Sequence, residues 1–348
     1  MTTGSTSRLR FLDDLRALGM VMVVGVHALG YGHPMPPELF DIFRFFIHTV
    51  SVPVFFMVDG YLMASRAGPT GRATPYGQVV RRSALRLLLP WLLFSVLYAV
   101  LRYVFERVGL LSDALLVGHG PMEILTAAWG SLYAPQLYFL VSLFLIRLAT
   151  PWLRRFARIE SDVRAGLVYV AFYAGYRMLL PVVSPVLQIE GGQEPLLHGL
   201  WGLQYVLFGM IGLRLVRRFE SRRIVLAALV LLLLAVLLVD RRGEAGRTVL
   251  QYCYLLALLA GFTMQPGGGS ALVCTVVGWI GRNTMGLYLV HVPVLMKMVS
   301  LPINRLVSDP VASFLAILVL TFGVSCALVG LVNRIPGGEL LWGTLRRR

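Results

Sequence analysis

Ten stretches of mostly apolar residues recur along this chain, each about 17 to 23 residues long. They fall near 16–33, 45–65, 84–104, 136–153, 165–187, 199–216, 224–240, 248–265, 283–301 and 311–333. That is the length a helix needs to cross the ~30 Å hydrocarbon layer of a bilayer. Inside that layer the backbone must satisfy its own hydrogen bonds, so such runs become helices. Apolar residues make up 57% of the 348 and charged residues only 14%, too few to wrap this much apolar surface in water. A soluble β-rich or α/β enzyme does not string such runs together. The pattern predicts an all-α, polytopic transmembrane bundle of about ten helices, a single integral-membrane domain over 1–348 with no appended soluble domain. The 45–65 run, with His48, Pro53 and Asp59, is the least regular. The first run lacks a small-residue cleavage site and reads as a retained helix, not a signal peptide.

The formal charge of +15 is not a nucleic-acid signature once its distribution is considered. With the N-terminus placed inside, arginines crowd the inner connections: Arg8 and Arg10, Arg66 to Arg86, Arg154 to Arg164, Arg214 to Arg223, Arg334 and the Arg346–Arg348 tail. The outer side keeps Arg44, Arg102, Arg107, Arg241, Arg242, Arg247 and Arg305. This is the positive-inside bias, and it predicts both termini in the cytoplasm of a multi-pass cell-membrane protein. Membrane lipid is the expected surrounding partner and nucleic acid is not. The oligomeric state is silent in the sequence.

Cys253, Cys274 and Cys326 lie in apolar stretches and form no CxxC or Cys/His metal spacing, so they read as free thiols. The Gly- and Pro-rich inner connection 66–83 and the QPGGGS stretch at 265–270 read as loops. The outer connection 105–135 reads as an interfacial helix or a re-entrant turn. No fixed-period or inverted repeat is visible.

The residues that can carry chemistry begin with Arg16 and His27, at the two ends of LRALGMVMVVGVHALGYG. Eleven residues apart, they share nearly one helix face and stand about 16 Å apart. That sets the arginine at the membrane surface and the histidine near mid-bilayer, where a titratable ring is costly and seldom kept without use. A neutral imidazole there can take a proton from a hydroxyl and hand it to a leaving group. The competing reading is a ring tied to a neighbouring backbone carbonyl. Asp13 lies one turn before Arg16 and can hold it as an i, i+3 pair. Arg81, Arg82 and Arg86 head the third helix, a site for polyphosphate or for anionic lipid. Asp59, alone in VPVFFMVDGYLMAS, either orients His27 or pairs with Arg147. Tyr288 and His291 lie in GRNTMGLYLVHVPVL, with His291 about 12 Å above the inner helix end and thus near the depth of His27. Both are candidates to line a cavity, as are Asp13, Tyr138 and Arg177.

Taken together, these segments resemble the membrane-bound acyltransferase 3 family. FLDDLRALGMVMVVGVHALG is similar to the family's opening "LD-LR…H", with an arginine, ten residues, then a histidine. VPVFFMVDGYLMA, RRSALRLLLPW, LYFLVSLFLIRLATPWL and GRNTMGLYLVHVPVL resemble later family segments in the same order. The resemblance implies transfer of an acyl group, commonly acetyl, from cytoplasmic acyl-CoA to a hydroxyl of a carbohydrate or related acceptor. Acyl-CoA is then a co-substrate, and no resident cofactor or metal is expected. By the same resemblance His27 is the catalytic histidine with Arg16 its partner, and Arg82 and Arg86 serve the donor. The arginines are spaced i, i+4 where an i, i+3 pattern occurs in some members. Asp59 replaces a usual serine, and Tyr138 stands where tryptophan is common. Two other classes fit ten helices with buried charges: a transporter of a polysaccharide or small organic acid, and a membrane sensor or assembly subunit.

Overall fold

The computed structural model describes residues 10–66, 74–109, 116–187, 194–219, 221–238, 244–263 and 270–343. The loop residues 67–73, most of QPGGGS, Arg241, Arg242, and the chain ends bearing Arg8 and Arg346–Arg348 lie outside them. Every regular element among the described residues is helical. In chain order they are α1 (Arg10–Tyr31), α2 (Pro37–His48), α3 (Ser51–Arg66), α4 (Tyr76–Ser83), α5 (Leu89–Arg107) and α6 (Pro121–Trp129). Then follow α7 (Tyr138–Leu148), α8 (Thr150–Ala157), α9 (Asp162–Leu187), α10 (Pro195–Arg218) and α11 (Ser221–Leu238). The last third holds α12 (Glu244–Thr263), α13 (Ala271–Arg282), α14 (Thr284–Val290), α15 (Met296–Leu306) and α16 (Pro310–Val332).

Among the described residues six helical runs are long and apolar enough to cross a membrane: Pro37–Ser65, Tyr76–Arg107, Asp162–Leu187, Pro195–Val216, Thr284–Leu306 and Pro310–Val332. The pair Pro135–Leu148 and Thr150–Ala157, bent by 65°, makes a seventh if counted as one span. The outward faces of these runs are lined with leucine and valine. Leu92, Val96 and Val100 on α5 and Leu167, Val170 and Met178 on α9 are each at least half exposed. Surface of that kind, far beyond the patches a water-soluble monomer shows, marks a multi-pass membrane protein.

The breaks in these runs have local causes. At α7–α8 the sequence predicts one helix over 136–153, but the chain bends after Leu148. Pro151 sits in the first turn of α8 and cannot donate to a continuing helix. Thr150 Oγ1 takes up the Arg147 carbonyl at 2.6 Å. Between α14 and α15 the π-helical turn His291–Leu295 contains Val292 in an extended conformation (φ −132°, ψ 164°). Val292 precedes Pro293, whose ring disfavours helical geometry in the residue before it. The third expected helix starts earlier than 84, at Tyr76, and passes through a π-helical turn at Ala84–Leu88. The connection 105–135 carries the short helix α6, its Met122 and Leu125 exposed.

Glycines set the closest helix approaches. A Cβ on Gly60 of α3 would lie 1.9 Å from the Val206 carbonyl oxygen of α10, and one on Gly209 would lie 2.0 Å from that of Met57. The contact is reciprocal, each glycine resting on the carbonyl three residues before the other. Packing of small residues is how helices associate where lipid removes the hydrophobic drive. Gly281 of α13 rests in the same way on the Asp13 carbonyl of α1.

α1 is the central helix, packed against α2, α3, α12, α13, α14, α15 and α16. Its two ends define the two faces of the bundle. At its start, Asp13 meets Gly281, and nearby Asn333 at the end of α16 donates to Asn283 (2.8 Å) and accepts from Trp342 Nε1 (2.8 Å). At its far end, Asn304 of α15 donates to the Tyr31 carbonyl (2.8 Å) and accepts from Ser313 Oγ of α16 (2.7 Å). The first helix therefore starts, and the last long helix ends, on one face.

Candidate functional site

α1 carries the two residues that led the sequence reading. Arg16 Nη1 donates to Asp13 Oδ1 at 3.1 Å, the i, i+3 pair expected, with Asp13 buried under α13. Eleven residues further along, the His27 ring lies against that of His291, 5.2 Å between centres and inclined by 60°. His27 is partly exposed, and no described residue hydrogen-bonds its ring. The structure thus pairs His27 with a second histidine, and Arg16 with Asp13.

His291 is fully buried. Its Nδ1 lies 2.9 Å from the Tyr288 carbonyl oxygen and 3.2 Å from that of Leu287. Both are acceptors, so Nδ1 carries the proton and donates. Nε2 is then the bare nitrogen, and it has no hydrogen-bond partner. The turn that presents this ring is clamped from the α7 side. Gln136 Nε2 donates to the Val292 carbonyl at 2.6 Å, and the Tyr288 hydroxyl donates to the Gln136 carbonyl.

Asp59 takes the second of the two partners considered for it. Arg147 Nη2 of α7 donates to Asp59 Oδ1, and no contact joins Asp59 to His27. The cause is depth: α1 packs on α3 with Gly19 against Val54 and Phe55, and on α2 with Gly25 against Ile47. Asp59 therefore falls near the start of α1, well below His27. His48, at the end of α2, falls near the level of Gly25 and stands within electrostatic range of His27.

His48 also lines two adjoining cavities, of about 340 and 440 Å³. They share His48, Tyr176, Leu180 and Trp201. The smaller is walled by Ser51, Tyr138, Leu197 and His198. The larger is walled by Tyr173, Arg177, Gln204, Tyr205, Arg247 and Gln251. Aromatic rings run along the wall: Tyr138 on His198 at 4.3 Å, Trp201 on Tyr205 at 5.0 Å. Gln251 accepts from Tyr205 (2.9 Å) and donates to the Thr49 carbonyl, which fixes α10 and α12 to the end of α2. Gln204 Oε1 accepts from Tyr252 (2.9 Å).

Of the residues expected to line a cavity, Tyr138 and Arg177 do so. Asp13, Tyr288 and His291 lie on neither cavity and are held in packed surroundings. His48, His198, Trp201 and Gln136 were missed. The signal for two of them was present: His198 and Trp201 share one face of α10 with Gln204 and Tyr205 at helical spacing, a polar aromatic stripe in an apolar run. Arg81, Arg82 and Arg86 are exposed at the opposite face, where the Arg86 carbonyl meets Gly343 and Trp342 packs on Phe94. The π-helical turn between Arg82 and Arg86 breaks the simple i, i+4 alignment expected for them.

A family model described as an acyltransferase domain matches residues 9–330, which spans the arginine face, the histidine pair and the cavity wall. The chain belongs to the acyltransferase 3 family. It is an acyltransferase, and a membrane-embedded one by its apolar helices. The transporter and sensor readings give way to that assignment. No curated protein and no solved structure matches this acyltransferase 3 chain.

Proposed function

We propose that this acyltransferase moves an acyl group, in the simplest case acetyl, from cytoplasmic acyl-CoA to a hydroxyl of a carbohydrate or glycosylated acceptor. The observation that carries the reading is the position of His27. It sits on the central helix, partly exposed, with no hydrogen bond to its ring among the described residues, beyond the arginine-bearing face and within electrostatic range of His48, which lines the aromatic cavity. The chain then crosses ten times, with α1, α11 and α12 joining the other passes. The face holding Arg16 and Arg81 to Arg86 is the cytoplasmic one, as the arginine distribution favours.

In this reading Arg81, Arg82 and Arg86 hold the anionic phosphoadenosine end of the donor, since guanidinium forks match phosphate. Arg16, fixed by Asp13, stands where the pantetheine arm enters. The sugar ring lies on Trp201, Tyr138 and His198, with Arg177, Gln204 and Gln251 facing its hydroxyls. His27 removes the proton of the attacking hydroxyl as its oxygen bonds to the thioester carbonyl carbon. The C–S bond breaks, and the CoA sulfur leaves with the proton that His27 returns. Asp59 keeps α3 and α7 together by pairing with Arg147.

Two measurements test this. Replacing His27 with Ala in the full chain, reconstituted with acetyl-CoA and total envelope glycolipid, is expected to lower turnover by ~10²- to 10⁴-fold, as loss of a general base does. Near-normal turnover of well-folded protein overturns it. Mass spectrometry of envelope glycans from cells with and without the protein is expected to show an acyl increment only in the former.

A further inference from the structure

We infer that His291 is a positioning residue for His27: its bare Nε2 accepts a hydrogen bond from the His27 ring, fixing which His27 nitrogen is left to act as base. The inference rests on the proposed role of His27 and adds to it a partner that the sequence had placed on a substrate cavity. Three observations lead there. His291 is wholly enclosed and cannot meet substrate or solvent. Its Nδ1 proton is committed to the carbonyls of Tyr288 and Leu287, so the tautomer is settled. Its Nε2 lone pair is left without a partner in a dry interior, where an unmet acceptor is costly.

Among the described residues two rings lie beside His291, and since the Tyr288 hydroxyl is already given to the Gln136 carbonyl, His27 is the one with an N–H to offer that lone pair. A centre-to-centre separation of 5.2 Å is close to a hydrogen bond of roughly 3 Å plus the two ring radii. The rings are inclined by 60°, so a turn of the His27 ring about its Cβ–Cγ bond aligns one N–H with Nε2. The partly open His27 has room for that turn, whereas His291 does not, being pinned by its two carbonyls. Once the bond forms, the second His27 nitrogen is necessarily bare and is the proton acceptor. When it takes the proton of the attacking hydroxyl, His27 becomes an imidazolium, and its bond to Nε2 becomes charge-assisted and stronger. No bond to carbon is made by His291, and the proton that His27 gains leaves again with the CoA sulfur. A third group that orients a base is the usual architecture of acyl-transfer sites, with a carboxylate in that position. Here the position is filled by a neutral ring, which suits a site at membrane depth where a second charge is expensive.

The test compares His291→Leu, which cannot accept, with His291→Gln, whose carbonyl oxygen reaches the place of Nε2. His27→Ala serves as the reference. Each is made in the full chain, purified as monodisperse protein and assayed with acetyl-CoA and total envelope glycolipid. His291→Leu is expected to lower kcat by ~100-fold with KM for acetyl-CoA changed by less than about twofold, and His291→Gln to recover to within about fivefold of the original. Equal kcat in the Leu variant and the parent overturns the inference, and so do equal losses in the Leu and Gln variants. In either case a silent His27→Ala leaves the base assignment standing. A fully active His27→Ala removes both.

Discussion

Arg147 on α7 and Asp59 on α3 form an ion pair inside the bundle, with their side chains 21% and 13% exposed and Asp59 Oδ2 left without a partner. The pair is a brace between two helices. Replacing Asp59 with Leu strands a half-buried guanidinium and is expected to cost about 2–3 kcal/mol, below the range for fully sealed pairs. The double variant Asp59→Leu, Arg147→Leu is expected to lose less than the sum of the single changes. Thermal unfolding in one detergent, read as a double-mutant cycle, checks this.

The reciprocal glycines of α3 and α10 make a sharper prediction. A methyl group at Gly60 or Gly209 meets a backbone carbonyl that cannot rotate away, so the two helices must part. Gly60→Ala and Gly209→Ala are each expected to destabilise by about 2–3 kcal/mol, at the upper end of overpacking costs. Gly175→Ala, where nothing lies within 4 Å, is the control and should leave the melting temperature unchanged or raise it slightly, as alanine favours a helix interior over glycine.

The exposed arginines of α4 and the following turn should act on donor affinity. Arg82→Ala and Arg86→Ala are expected to raise KM for acyl-CoA about tenfold with kcat little altered, the pattern of lost uniform binding. The same KM should rise with salt in the parent protein, because the contact is electrostatic and exposed. Initial rates at two ionic strengths settle it.

The aromatic wall should act on the acceptor instead. Trp201→Ala removes the largest ring shared by both cavities and is expected to raise acceptor KM by about tenfold or more, leaving KM for acyl-CoA as it was. Varying one substrate at a time separates the two effects.

Topology gives a prediction independent of activity. In a cysteine-free background, a cysteine at His119 is expected to react with a membrane-impermeant maleimide on intact cells. One at Arg158 is expected to react only after permeabilisation. The reverse pattern inverts the orientation.

Much of this architecture could be read from residue order. The α1 segment was legible because one apolar run held both Arg16 and His27 in register. The depth of His291 was legible too, since rise per residue alone carries it to the level of His27. What rise along one helix cannot give is the level at which two helices meet. Whether Asp59 reaches His27 or Arg147 depends on where α3 docks along α1, and the glycine contacts set that. α13 escaped because ALVCTVVGWIGR, 12 residues long, is too short to read as a span. The bend after Leu148 had its warning in Pro151. The orphaned Nε2 had none, because it follows from a turn that only folding assembles.

The crowding of α1 by α13 to α16 bears on how the enzyme is made. A ribosome delivers α1 long before α13 to α16, so α1 waits through the synthesis of the intervening helices for the ring of His291. A chain cut short before α14 can hold Arg16, Arg81, Arg82 and Arg86 and the entire aromatic wall and yet lack the assembled histidine pair. On the roles proposed for His27 and His291, such a product is expected to bind an acyl donor without transferring its acyl group.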